Sequence, residues 1–212
     1  MLPPKQTSLL VLALLIAVPS LNAADKTKKV EARDITLNVP TSWKQSPASN
    51  NLRTAQFAIP KVEGDKEDAE LVVYFFGGAG GGVNANLERW SGQFQPGGKK
   101  QKIYKGESKQ GEYYLLDITG VYNKPIGPPI NRQTNPTPGY QMMAVVLMVK
   151  DKGNYFLKLT GPQKTVAAAG KALRVAIDAD LKKEAELKAK KQMIVNRETF
   201  SHKALTLDKL PI

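Results

Sequence analysis

Not one of the 212 residues is a cysteine, so whatever this chain folds into must be held by packing and hydrogen bonding alone. The constraint is severe, because the first residues read as an export leader and small exported domains often lean on disulfides. Lys5 supplies a positive charge, Leu9 to Val18 is an uninterrupted apolar run, and Pro19 and Ser20 break it. Leu21-Asn22-Ala23 then offers a small residue at a cleavage site, which completes a signal peptide over residues 1–23. The run falls well short of the roughly 20 residues a membrane-spanning helix needs. Leu21 is large for its position, which leaves an uncleaved anchor as the alternative. Expected is a secreted or periplasmic protein, its lipobox route closed by the missing cysteine.

The same absence removes thiol catalysis and cysteine metal sites. His202, in the polar tail, is the single histidine, so Ser-His-Asp chemistry and multi-histidine zinc sites are strongly disfavoured as well. The expectation is no catalytic residue, no metal and no cofactor. Charge points elsewhere. Lys and Arg number 31 against 19 Asp and Glu, a net charge of +12. Lys99, Lys100, Lys102, Lys105 and Lys109 crowd one segment against Glu107 alone. A basic exported protein suits an acidic partner: an acidic protein, an anionic polymer or an anionic membrane surface. Nucleic acid is disfavoured, since that segment holds no arginine and the compartment is wrong. The plainer alternative is a solvated lysine-rich face.

Hydrophobic periodicity predicts a lead over 24–33 and one α+β domain over 34–181, followed by a basic helical extension and tail over 182–212. Strands are predicted at Asp34–Val39, Leu52–Ile59 and Ala69–Phe76, the last apolar on both faces and therefore central. An acidic loop with Asp65, Glu67, Asp68 and Glu70 has oxygen ligands but no EF-hand register, and reads as solvated. After the Gly77–Gly82 run, a helix over Asn84–Phe94 carries Leu87, Trp90 and Phe94 on one stripe, with Asn84 as N-cap. Strands Gln101–Ser108 and Tyr113–Tyr122 follow. Asn123–Gly139 reads as a long surface loop, and Tyr140–Val149 with Asn154–Thr160 as a hairpin. A long helix is expected over Thr165–Met193, with Val166, Leu173, Ile177 and Leu181 facing the core and a charged, projecting second half. Tight turns between sequential strands make the sheet mainly antiparallel, flanked by the short and the long helix.

The strand ending in Pro40-Thr41-Ser42-Trp43, the Phe57 strand, the Tyr155–Pro162 exit and the closing helix together resemble the PsbP-like fold of extrinsic and secreted proteins. The chain is also similar to uncharacterised exported bacterial proteins in which a Gly-rich turn precedes Asn-x-x-Arg-Trp-x-x-Gln-Phe, here Asn86 to Phe94. The resemblance spans about Asp34 to Leu181 and implies an extrinsic, non-enzymatic role. That makes an exported accessory or adaptor protein, binding its acidic partner through the lysines, the first functional expectation.

The alternative is a small-ligand or anion-binding module, or an enzyme, centred on the Gly77–Gly82 loop. Gly80, Gly81, Gly82 and Asn84 fit a loose G-x-G-x-x-A form, and glycine N–H groups at a helix start can face an anion. Arg89 could clamp a carboxylate, or pair with Glu70. No acid closes a second parallel strand downstream and no Gly-Lys-Ser/Thr occurs, so dinucleotide and P-loop sites are excluded. A turn admitting close strand–helix approach is the simpler reading. Trp43, Trp90, Tyr113 and Tyr114 are read as core or sheet-face residues.

Overall fold

The computed structural model of the protein describes residues 26–78, 80–127, 131 and 133–188. The leader, His202 and the 194–212 tail lie outside the described residues.

Alternation makes the strands. β2 (Ile35–Pro40) buries Ile35, Leu37 and Val39 and leaves Thr36 and Asn38 half-buried. It pairs with β1 (Thr27–Ala32), an antiparallel strand in a region read as part of a polar lead. β1 is almost wholly exposed, so it carries no apolar alternation; its partner's free edge draws it into a ladder. β3 (Lys44–Gln45), β4 (Arg53–Ile59), β5 (Ala69–Phe75), β6 (Lys100–Ser108), β7 (Gly111–Pro125), β8 (Thr134–Val149), β9 (Gly153–Pro162) and β10 (Ala185–Glu186) build the main sheet. Its order is β10-β6-β7-β8-β9-β5-β4-β3, with every pairing antiparallel. β8 is buried continuously from Tyr140 to Leu147, because it lies mid-sheet with both faces covered. β5 is interior too, but nearer one end.

Two helices cover the faces unequally. α2 (Gln163–Ala176) and the β1–β2 hairpin pack on one face, over Phe57, Leu71, Val73, Leu115, Val145, Leu157 and Leu159. α1 (Val83–Ser91) packs on the other through Leu87 and Trp90, with Phe94 just beyond it, over Leu116, Val146 and Phe156. The result is a single α+β domain with a mainly antiparallel sheet, as expected. Among the described residues, no helix is long and apolar enough to cross a membrane.

Two expectations are corrected. The 123–139 stretch is largely a continuation of the β7–β8 hairpin, paired from Tyr122↔Thr137 to Pro125↔Thr134. Among the described residues, the Thr134–Gly139 arm is mostly exposed, so the ladder is main-chain driven and leaves no hydrophobic signal. α2 stops at Ala176, far short of Met193. Asp178 turns to φ 56 and the amide of Ala179 donates to Arg174 O. Leu181 is exposed, and Ala185 and Glu186 pair instead with β6. The open edge of β6 and the carboxylate of Glu184, which accepts both Arg174 Nε at 2.8 Å and the Tyr113 hydroxyl at 2.6 Å, outweigh i,i+4 charge pairing. The acidic loop is solvated as expected, with Glu67, Asp68 and Glu70 exposed, and is anchored at Asp65, which accepts the Thr165 amide at 2.8 Å and its hydroxyl at 2.6 Å in the first turn of α2.

Candidate functional site

α1 spans nine residues, about 14 Å of helix, too short to cover its whole face of the sheet. Where it ends, an open cleft of about 420 Å³ lies over β5, β8 and β9. The alternation of β9 puts Phe156, Lys158 and Thr160 on this face, opposite Leu157 and Leu159. Register fixes their neighbours. Lys158 stands between Val72 of β5 and Ala144 of β8, and Thr160 between Glu70 and Met142. A bulge between Gly120 and Tyr122 bends β7, and the chain leaving α1 pairs with it through Gln95 N to Val121 O and Asn123 N to Gln93 O. Those contacts bring Gln93 and Tyr122 over the end of Lys158.

The Lys158 ammonium donates to Gln93 Oε1 at 2.7 Å and to Tyr122 OH at 3.1 Å, both uncharged. No carboxylate bonds it among the described residues. Burial, aided by the positive charges of Arg89 and Arg53 and opposed by Glu70, pulls its pKa down to about 8. The other cations of the cleft are paired. Lys124 donates to Glu67 at 2.7 Å and to Tyr140 OH at 3.0 Å, and Tyr140 donates to Glu67. Hydrogen bonds from Lys124 and Tyr140 hold the Glu67 carboxyl below its usual range. Arg53 Nη1 reaches Gln56 at 2.9 Å and Glu70 at 3.4 Å. Two further polar atoms, Arg53 Nε and Thr160 Oγ1, are buried and without a hydrogen-bond partner among the described residues. Tyr122 and Tyr140 stack with centroids 5.6 Å apart and form an aromatic wall. Burial pushes the Tyr122 phenol up to about 12, so it keeps its proton.

The residues singled out in the sequence lie elsewhere. Gly80, Gly81 and Gly82 all take positive φ. The carbonyls of Gly80 and Gly82 accept the Asn86 amide at 3.0 and 2.6 Å, so the turn is clamped by its own helix. Gly80 sits against the Phe156 ring, where an added Cβ would come within 2.5 Å. Gly82, not Asn84, is the N-cap of α1; Asn84 lies one residue inside the helix and borders a second hollow of about 360 Å³. Arg89 donates to Asn86 Oδ1 at 2.8 Å and takes no part with Glu70, whose arginine partner is Arg53. Of the lysines, Lys99 donates to Ser91 Oγ at 3.0 Å, and Lys102, Lys105 and Lys109 pair with Glu186, Glu112 and Asp178 at 3.0, 2.6 and 3.9 Å. Lys100 is exposed. The two-residue period of β6 sends Lys100 and Lys102 to one side and Lys105 to the other, so these lysines do not share one face.

Lys158, Tyr122, Arg53 and Thr160 escaped sequence reasoning. One signal was there: a lysine between Leu157 and Leu159, inside the apolar run Tyr155–Leu159.

No protein-family model and no curated protein sequence matches the chain. A crystal structure of a protein of unknown function from Pseudomonas aeruginosa is similar to it, with 16% identity and a TM-score of 0.42. The match covers 72% of this chain and 94% of that one.

Proposed function

We propose that this is an exported binding module, PsbP-like in fold, that takes a small anion, foremost a carboxylate, in the cleft around Lys158. One observation carries the reading: a partly buried ammonium held only by neutral groups, beside two buried polar atoms that lack partners. A confined charge without a counter-ion is costly, and an anion arriving from solution relieves that cost while using the idle donors. The tyrosine wall and Val72 supply apolar contact for the rest of a small ligand. The accessory role through the lysine segment has less support, since Lys102, Lys105 and Lys109 already hold acids of their own chain. Export rests on the Met1–Ala23 leader pattern.

Thermal shift with acetate, glycolate, succinate and inorganic phosphate at pH 7 tests the proposal. A ligand at 100 times its Kd adds about 2.7 kcal/mol by mass action, a shift of several degrees. Wild type should respond to at least one of these anions and Lys158→Met should not. Equal responses in the two proteins, or none in either, would overturn it.

A further inference from the structure

We infer that Lys158 captures a carbonyl group, so that the preferred ligand of the cleft is a short-chain oxo acid held as a reversible imine. The inference rests on the anion-binding reading above and names the ligand within it. A lysine kept as a permanent cation is held by a carboxylate or left in solvent. Lys158 has the opposite setting. It is enclosed on β9, with Arg89 of α1 and Arg53 of β4 adding like charge and Glu70 of β5 opposing them. Tyr74 of β5, Tyr122 of β7 and Tyr140 of β8 line the same space. Desolvation beside other cations is what turns an ammonium into a usable amine near neutral pH. With a pKa of about 8, its neutral fraction at pH 7 exceeds that of an ordinary surface lysine by roughly two orders of magnitude.

The remaining groups fit the two ends of an oxo acid. Thr160 lies two residues along β9 on the same face, about 7 Å away along the strand. Its side chain and that of Arg53 border the same cleft and carry the donors without partners; they are the groups assigned to the carboxylate while the carbonyl carbon meets Lys158 Nζ. In the addition, the amine lone pair forms the C–N bond and the carbonyl π pair moves onto oxygen, which takes a proton from the Tyr122 hydroxyl 3.1 Å from Nζ. The nitrogen proton returns to Tyr122. The carbinolamine hydroxyl then takes the Tyr122 proton and leaves as water while the nitrogen lone pair closes the C=N bond, and the remaining N–H proton passes back to Tyr122 to give the neutral imine. Amine plus carbonyl gives imine plus water, and no oxidant or reductant is consumed.

The test treats the full chain with limiting glyoxylate and cyanoborohydride at pH 7, then maps reduced adducts by peptide mass. Lys158 should carry roughly tenfold or more adduct than any surface lysine, by the difference in amine fraction, and excess acetate should suppress it. Lys158→Met should lose both the glycolate-induced thermal shift and the selective adduct, leaving only the adducts of the surface lysines. Adducts spread evenly over the lysines overturn the inference. If glycolate shifts the melting temperature in a Lys158-dependent way while no Lys158 adduct forms, carbonyl capture fails and anion binding stands. If neither occurs, both fail.

Discussion

On one face of the sheet, Leu157 and Leu159 of β9 are fully buried beneath α2 and the β1–β2 hairpin. On the other, their neighbours Phe156, Lys158 and Thr160 run out from under α1 into an open cleft. The same strand therefore serves two environments. The closed face has a 14-residue helix and a hairpin to cover it, and the open face a nine-residue helix. Where the cover ends, apolar packing gives way to Arg53, Lys158, Thr160 and the tyrosines. Binding chemistry collects there because a half-covered sheet face can shelter a polar group while still admitting a ligand.

The sharpest way to break this contrast is to truncate adjacent residues of β9. Leu157→Ala, on the closed face, should cost about 2–5 kcal/mol in urea unfolding, since neither α2 nor the sheet can collapse into the hole. A loss below about 1 kcal/mol would show that this face is not tightly packed. Next comes Glu184→Ala at the rim of the closed face. It strands Arg174 and the Tyr113 hydroxyl, whose pKa burial and Glu184 both raise. Arg174 and Glu184 keep some solvent contact, so the expected loss is about 2–3 kcal/mol rather than the full cost of breaking a buried pair.

On the open face, the two ends of the glycine turn separate strain from collision. Gly80→Ala adds a methyl against the Phe156 ring at φ +53 and should cost about 1–3 kcal/mol. Gly82→Ala meets open space at φ +77 and should cost only about 1 kcal/mol from backbone strain. Equal losses would mean the Phe156 ring yields freely. The most gradual effect is a slope with pH. The folded pKa of Lys158, about 8, lies below its unfolded value of 10.5, so the unfolded chain binds the extra proton between those limits. Wild type should therefore gain stability relative to Lys158→Met as pH rises through that window, by up to about 3 kcal/mol. Parallel stability–pH curves would place Lys158 in solvent.

Much of the framework was legible. The alternation of β2 and β4, the Leu87–Trp90–Phe94 stripe and the β8–β9 hairpin are all where periodicity puts them. β1, the outer arms of the β7–β8 hairpin and β10 were not, because exposed strands are held by main-chain hydrogen bonds that leave no side-chain pattern. The charged stretch after α2 looks helical by its i,i+4 pairs, yet β6 offers it an edge and Arg174 a buried partner for Glu184. The candidate site was the least legible part. Arg53, Tyr122 and Lys158 lie far apart in the chain and meet only because β5 and β9 are neighbours and β7 bulges.

Local periodicity and turn chemistry thus determined most strands, both helix starts to within a few residues, and the antiparallel class, since these depend on residues close together in the chain. How far each helix covers its face, which edge recruits the chain past Ala176, and the enclosure of Lys158 without a counter-ion were decided by packing between distant segments. Burial is a property of the assembled layers, and no stretch of sequence carries it alone.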